Sequence, residues 1–167
     1  ESAMGKYPLE ALKMMVKIAK ETEIHLDHTQ YRNRKVNRMD KKNISNQVGF
    51  AAVSTADQLE AKAIIAPSIS GFTTRMLSKW RSTIPVYGMS PSITTIRQMQ
   101  LLYGVVPVFA NRADTTDVLI ESSIDILKEE KYLKSGDLVV VTAGIIPKKA
   151  DRGPARYTNT MQVETVK

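Results

Sequence analysis

Four hydroxyl side chains, Ser68, Ser70, Thr73 and Thr74, gather around Gly71 just after the apolar run Ala63-Ile64-Ile65-Ala66. An apolar run, then hydroxyls and glycine, then residues of helical habit, reads as strand, loop and helix start. The first N–H groups of a helix lack intrahelical acceptors and carry the positive end of its dipole. With hydroxyl donors beside them they suit a phosphate. The chemistry implied is recognition of a phosphorylated metabolite. The same hydroxyls would equally serve as caps of an ordinary β–α turn, and this loop alone does not choose between the two.

Two further segments share its character. Met89-Ser90-Pro91-Ser92 is again rich in hydroxyls at a helix start, and residues 143–157 carry Lys148, Lys149, Arg152 and Arg156. In an open α/β sheet such loops gather beyond the carboxyl ends of the strands. Charge-assisted bonds from lysine and arginine to phosphate are roughly twice as strong as neutral ones, so the third loop would neutralise an anion held by the first. Bond-making chemistry has no comparable signature. Cysteine is absent, and the two histidines, His25 and His28, stand beside Asp27 without the further ligands a zinc site needs. No lysine-bearing phosphate loop, nucleophile elbow or HExxH is present. Asp114 and Asp117, near a helix start, read as a cap and a dipole partner.

The elements that must position these loops follow from periodicity. Tyr7-Pro8-Leu9-Glu10 opens a helix with proline in its first turn, and Leu12, Met15, Val16 and Ala19 give it one apolar stripe to about residue 23. Residues 25–42 turn basic, with Arg32, Arg34, Lys35, Arg38, Lys41 and Lys42 against Asp27 and Asp40. This is a solvated helix and hinge or, alternatively, an arm that binds a polyanion; the hinge reading is preferred because charge runs are usually solvated. Asn43 or Ser45 caps the next helix, where Ser45, Gly49, Ala52 and Ala56 line a face that lets another backbone approach closely. Apolar runs at 63–66, 84–87, 105–110 and 137–142 then alternate with helices at 73–81, 92–103 and 115–131, and a last strand spans 158–166. Strand–helix alternation predicts an α/β fold of three layers. Its five-stranded, mostly parallel sheet has helices on both faces, an antiparallel last strand and an extra N-terminal helix. The domains expected are 1–24, a separate helix; 25–42, the connecting hinge; and 43–167, the α/β unit.

At 167 residues and 43% hydrophobic content, one domain with a real core is expected. The lack of cysteine fits a reducing compartment, no stretch is apolar enough to span a bilayer, and residues 1–5 do not read as a signal peptide. Cytoplasmic location without membrane association is the expectation. A net charge of +7 calls for anionic partners, either nucleic acid or small phosphates.

The residues also resemble a known family along nearly the whole chain. Glu1-Ser2-Ala3-Met4-Gly5-Lys6-Tyr7-Pro8-Leu9-Glu10-Ala11 is similar to the segment leading into the last barrel helix of pyruvate kinases. The remainder resembles their C-terminal regulatory domain through Ala63-Ile64-Ile65, Ser70-Gly71, Ile84-Pro85-Val86, Tyr103-Gly104-Val105, Gly136-Asp137 and Thr158-Asn159-Thr160-Met161. The resemblance implies a cytoplasmic homotetramer that transfers phosphate from phosphoenolpyruvate to ADP with magnesium or manganese and potassium. Its catalytic barrel and capping domain would be encoded upstream of Glu1, so this chain alone is expected to be inactive and to hold no catalytic or metal-binding residue. The rest of the enzyme is then a partner.

In allosteric relatives a sugar phosphate binds the loop matching Ser68, Ile69, Ser70, Gly71, Phe72 and Thr73, aided by the loop before the final strand, here with Lys148, Lys149, Arg152 and Arg156. Phe72 stands where many relatives carry a basic or polar residue. That removes one phosphate contact and leaves the effector open between sugar phosphates and nucleotides, with the basic insert 148–156 as compensation. Two other classes compete with an allosteric and oligomerisation domain: a scaffold insensitive to effectors, and a nucleic-acid-binding module. Against the last, Tyr31 is the sole aromatic among residues 25–42, and no recognised nucleic-acid motif is present.

Overall fold

A computed structural model describes residues 4–144 and 158–167. The short β-branched and aliphatic runs form β1 Ala63–Pro67, β2 Val86–Ser90, β3 Val105–Phe109, β4 Leu138–Ala143 and β5 Thr160–Thr165. They build one sheet in the order β3-β2-β1-β4-β5. The first four strands pair in parallel, while β5 runs antiparallel to β4, with Val140 opposite Val163 and Thr142 opposite Met161. The strands at the centre are covered on both faces, which is why β1 is apolar throughout rather than alternating.

Six helices accompany the sheet among the described residues: α1 Pro8–Ile24, α2 His28–Val36, α3 Ile44–Gln58, α4 Phe72–Ser78, α5 Ile93–Met99 and α6 Thr116–Glu129. Alternation along each strand divides the core in two. Ile64, Ala66, Val86 and Val140 face Ala52, Val53 and Ala56 of α3, together with Leu77 and Trp80. Ala63, Ile65, Tyr87, Met89, Val139 and Val141 face Ile120 and Leu127 of α6, with Ile124 packed against them. This is the three-layer α/β arrangement that the pattern predicts. The small-residue face of α3 packs within the domain: a Cβ on Gly49 would lie 3.3 Å from Trp80 Nε1 and 3.4 Å from the Met76 carbonyl oxygen.

Helices α4, α5 and α6 end two to four residues before their predicted limits of 81, 103 and 131. Arg81 and Lys131 adopt φ of 47° and 61°, a left-handed conformation that a helix cannot pass through. After α5, Leu101 and Leu102 bond back three residues to Gln98 and Met99, tightening the chain toward Gly104. Strand β2 starts and finishes later than the predicted 84–87, because Gly88 and Met89 continue the pairing with β1 and β3.

The basic segment is helical and is tied to the domain. Arg32 of α2 pairs with Asp57 of α3 at 2.7 Å, and His28 Nδ1 lies 2.7 Å from the Arg81 carbonyl oxygen. Helix α1 has proline at its start, as expected, and none of its residues is buried.

Candidate functional site

The strand order reverses at β1: the chain passes from β1 through β2 to β3 on one side, while β4 and β5 lie on the other. The carboxyl ends of β1 and β4 therefore lie side by side, where a crevice forms in sheets of this kind. Residues 68–71 leave β1 and Ser90-Pro91-Ser92 leaves β2, so the structure brings the first and second loops together. Ser90 Oγ donates to the Ile69 carbonyl oxygen at 3.1 Å, and so does Thr95 Oγ1 of α5 at 3.1 Å. Ser68 N donates to the Met89 carbonyl oxygen at 2.8 Å. The loop is thus fastened from below by its neighbour.

Gly71 is the residue on which the loop turns into α4. It adopts φ 72°, which glycine reaches without the penalty other residues meet. It is also the N-cap, and among the described residues no side chain caps the first N–H groups of α4. The ordinary capping role that Ser or Thr would have filled here is therefore not taken. In the second loop it is taken: Ser92 Oγ accepts from Thr95 N at 3.3 Å.

Each predicted residue of the first loop has a distinct place. Ser68 is half-buried, while Ile69 and Ser70 are exposed; among the described residues the Ser68 and Ser70 hydroxyls make no hydrogen bond. The Ser70 carbonyl oxygen accepts from Arg75 Nη1 at 3.3 Å. Phe72 is half-buried and Thr73 is buried. Thr73 Oγ1 lies 2.8 Å from Thr158 Oγ1, in a hydrogen bond that joins this loop to the chain entering β5. Lys148, Lys149, Arg152 and Arg156 lie outside the described residues.

Sequence reasoning missed the hydroxyl cluster beneath the loops. Thr158 N donates to Ser45 Oγ at 3.1 Å, and Ser45 Oγ donates to the Thr158 carbonyl oxygen at 3.3 Å. Thr142, at the end of β4 and wholly buried, leaves its hydroxyl without a partner among the described residues. The usable signal was the run of hydroxyls at the end of β4 and the start of β5, polar residues where the strands are otherwise apolar. Asp117 lies in the first turn of α6 as read, but the cap is Thr115, which accepts from Val118 N at 3.3 Å; Asp114 is not the cap. His25 lies 3.5 Å from Glu21, so both histidines have protein partners.

Residues 46–164 match the family described as "Pyruvate kinase, alpha/beta domain". The chain is 37% identical over 167 residues to the pyruvate kinase of Clostridium acetobutylicum, covering 99% of this chain and 34% of that protein. It is 32% identical over 166 residues to the pyruvate kinase of Geobacillus stearothermophilus and 33% identical over 167 residues to pyruvate kinase 2 of a Synechocystis strain; these alignments cover 99% and 100% of this chain and 27% of each relative. The chain thus spans about a third or less of the length of these relatives.

Proposed function

The chain belongs to the pyruvate kinase family and carries its C-terminal α/β domain, and we propose that it serves there as an allosteric and oligomerisation domain that binds a phosphorylated effector at the strand ends. The observation that carries the reading is the uncapped start of α4 at Gly71 beside the uncommitted hydroxyls of Ser68 and Ser70. Backbone N–H groups and hydroxyls gather at the reversal point of the sheet, a combination that suits an anion. Lys148, Lys149, Arg152 and Arg156 would add charge to it.

The parent enzyme would transfer phosphate from phosphoenolpyruvate to ADP, and magnesium or manganese and potassium would act in its other domains. The work of this chain is binding and transmission. The bonds from Thr73 to Thr158 and from Thr158 to Ser45 run from the effector loop to the chain entering β5 and to the start of α3. An effector that orders the loop would thereby bias β5 and α3, the elements we assign as subunit contacts, since an edge strand can pair with its symmetry mate. Phe72 favours the second reading, a scaffold that binds no effector, because it offers phosphate no donor.

Hydrogen exchange separates the two. Addition of sugar phosphates or nucleotides is expected to slow exchange at amides 71–75 and at Thr158. Unchanged exchange there with every compound would favour the scaffold.

A further inference from the structure

The basic segment does more than solvate a hinge. The end of α1, α2 and the turn after it, the start of α3 and the end of α4 enclose a cleft of about 930 Å³. Its wall holds Arg34, Lys35, Arg38 and Lys79 against Asp27 and Asp40, a formal excess of two positive charges (four minus two). Both carboxylates are committed to backbone: Asp27 accepts from Gln30 N at 2.8 Å and Asp40 from Lys42 N at 2.9 Å. Among the described residues none of the four cations forms an ion pair.

Their placement is not that of freely solvated charges. Lys35 Nζ donates to Tyr31 Oη at 3.0 Å and to the Lys79 carbonyl oxygen at 2.8 Å, and Lys79 Nζ donates to Asn46 Oδ1 while lying 5.3 Å from the centre of the Trp80 ring. Both lysines are half-buried. Burial, and then the like charge of Lys35, hold the Lys79 ammonium below the ordinary lysine value. Lys35, as hydrogen-bond donor, pulls Tyr31 below the ordinary tyrosine value, against the effect of burial. Helix C-termini accommodate cations, which accounts for Arg34 and Lys35 in the last turn of α2 and for Lys79 at the C-cap of α4, each taken separately. It does not account for two helix ends delivering them into the same cleft. Two half-buried ammoniums without a counter-charge are a cost that a bound anion removes.

We infer that this cleft is a second anion site, separate from the strand-end loops, which takes a small metabolite bearing one or two phosphate groups. Arg34 and Arg38, four residues apart and exposed, are placed to grip phosphate oxygens from the open side, while Lys35 and Lys79 meet them from within. The volume suits a sugar phosphate or mononucleotide.

The chain contains a single tryptophan, and Trp80, buried at the wall of the cleft with its ring 5.3 Å from Lys79 Nζ, senses binding at that ammonium through its emission. Inorganic pyrophosphate is titrated at constant ionic strength into the 167-residue chain and into three variants: Arg34→Ala with Arg38→Ala, Lys79→Gln, and Ser70→Asp. A saturable single-site change is expected. The paired arginine variant and Lys79→Gln should each weaken it about tenfold or more, as loss of charge-assisted bonds does, while Ser70→Asp leaves it unaltered. Thermal unfolding of each variant confirms that it is folded, and Lys79→Gln keeps the test intact if the arginine pair does not fold. No saturable change, undiminished affinity in both cleft variants, or loss in Ser70→Asp would overturn the assignment. So would a short oligonucleotide that competes far more tightly than pyrophosphate. Because Ser70→Asp touches only the strand-end loop, failure here leaves the effector reading independently testable.

Discussion

Gly88 lies in the middle of β2, where a Cβ would come within 2.8 Å of Met99 Sδ and of Thr74 Cγ2. Both neighbours are buried, so they can yield only by displacing other core atoms. Gly88→Ala is expected to lower stability by about 1–3 kcal/mol, as overpacking of a tight core does, measured by urea denaturation; an unchanged midpoint would show that α5 can move away from the sheet. At this scale the sequence was legible where a residue type has one physical use. Gly71 was marked by its position between a strand and a helix, and it takes the left-handed turn there. The Ser45–Thr158 and Thr73–Thr158 bonds were not legible, because they join residues 113 and 85 positions apart. A hydroxyl carries no record of which distant partner the fold will deliver.

Helix α2 is the element whose role the sequence left most open, since a basic run reads the same whether solvated or docked. The structure docks it through Arg32, whose side chain is 12% exposed, and Asp57, at 17%. Asp57 also accepts from Thr83 Oγ1 at 3.0 Å, which links α2, α3 and the turn before β2. Asp57→Ala leaves the Arg32 guanidinium largely buried and unpaired. The expected loss is about 2–3 kcal/mol, below the full figure for a deeply buried pair because water still reaches this one. Limited proteolysis between α2 and α3 should accelerate in parallel; unaltered cleavage together with unaltered stability would mean that His28, Lys35 and the core packing of Val36 hold the helix without the ion pair. Helix α1 marks the other limit of reading by periodicity. Its apolar stripe is legible in the spacing, yet Leu12, Met15 and Val16 are 46–61% exposed. Spacing tells which face is apolar and is silent on what covers it.

Across the whole molecule, the parallel order of β1 to β4, the antiparallel β5 and the two-sided core all follow from strand–helix alternation and from apolar runs too continuous for a one-sided sheet. Boundaries were less legible, because Arg81 and Lys131 stop their helices by adopting positive φ, which their residue types do not announce. The charge of +7 is likewise resolved only by folding, which gathers four of the cations from α2, the turn after it and the end of α4 into one cleft, while residues 68–71 after β1 present neutral donors. Effector binding at those loops is best tested by calorimetric titration of the 167-residue chain and its Ser70→Asp variant with sugar phosphates and nucleotides. Single-site binding of at least one compound, abolished by a carboxylate at position 70, is the expected result. Absence of saturable binding across the panel, or binding that Ser70→Asp leaves intact, would contradict an effector site at the start of α4.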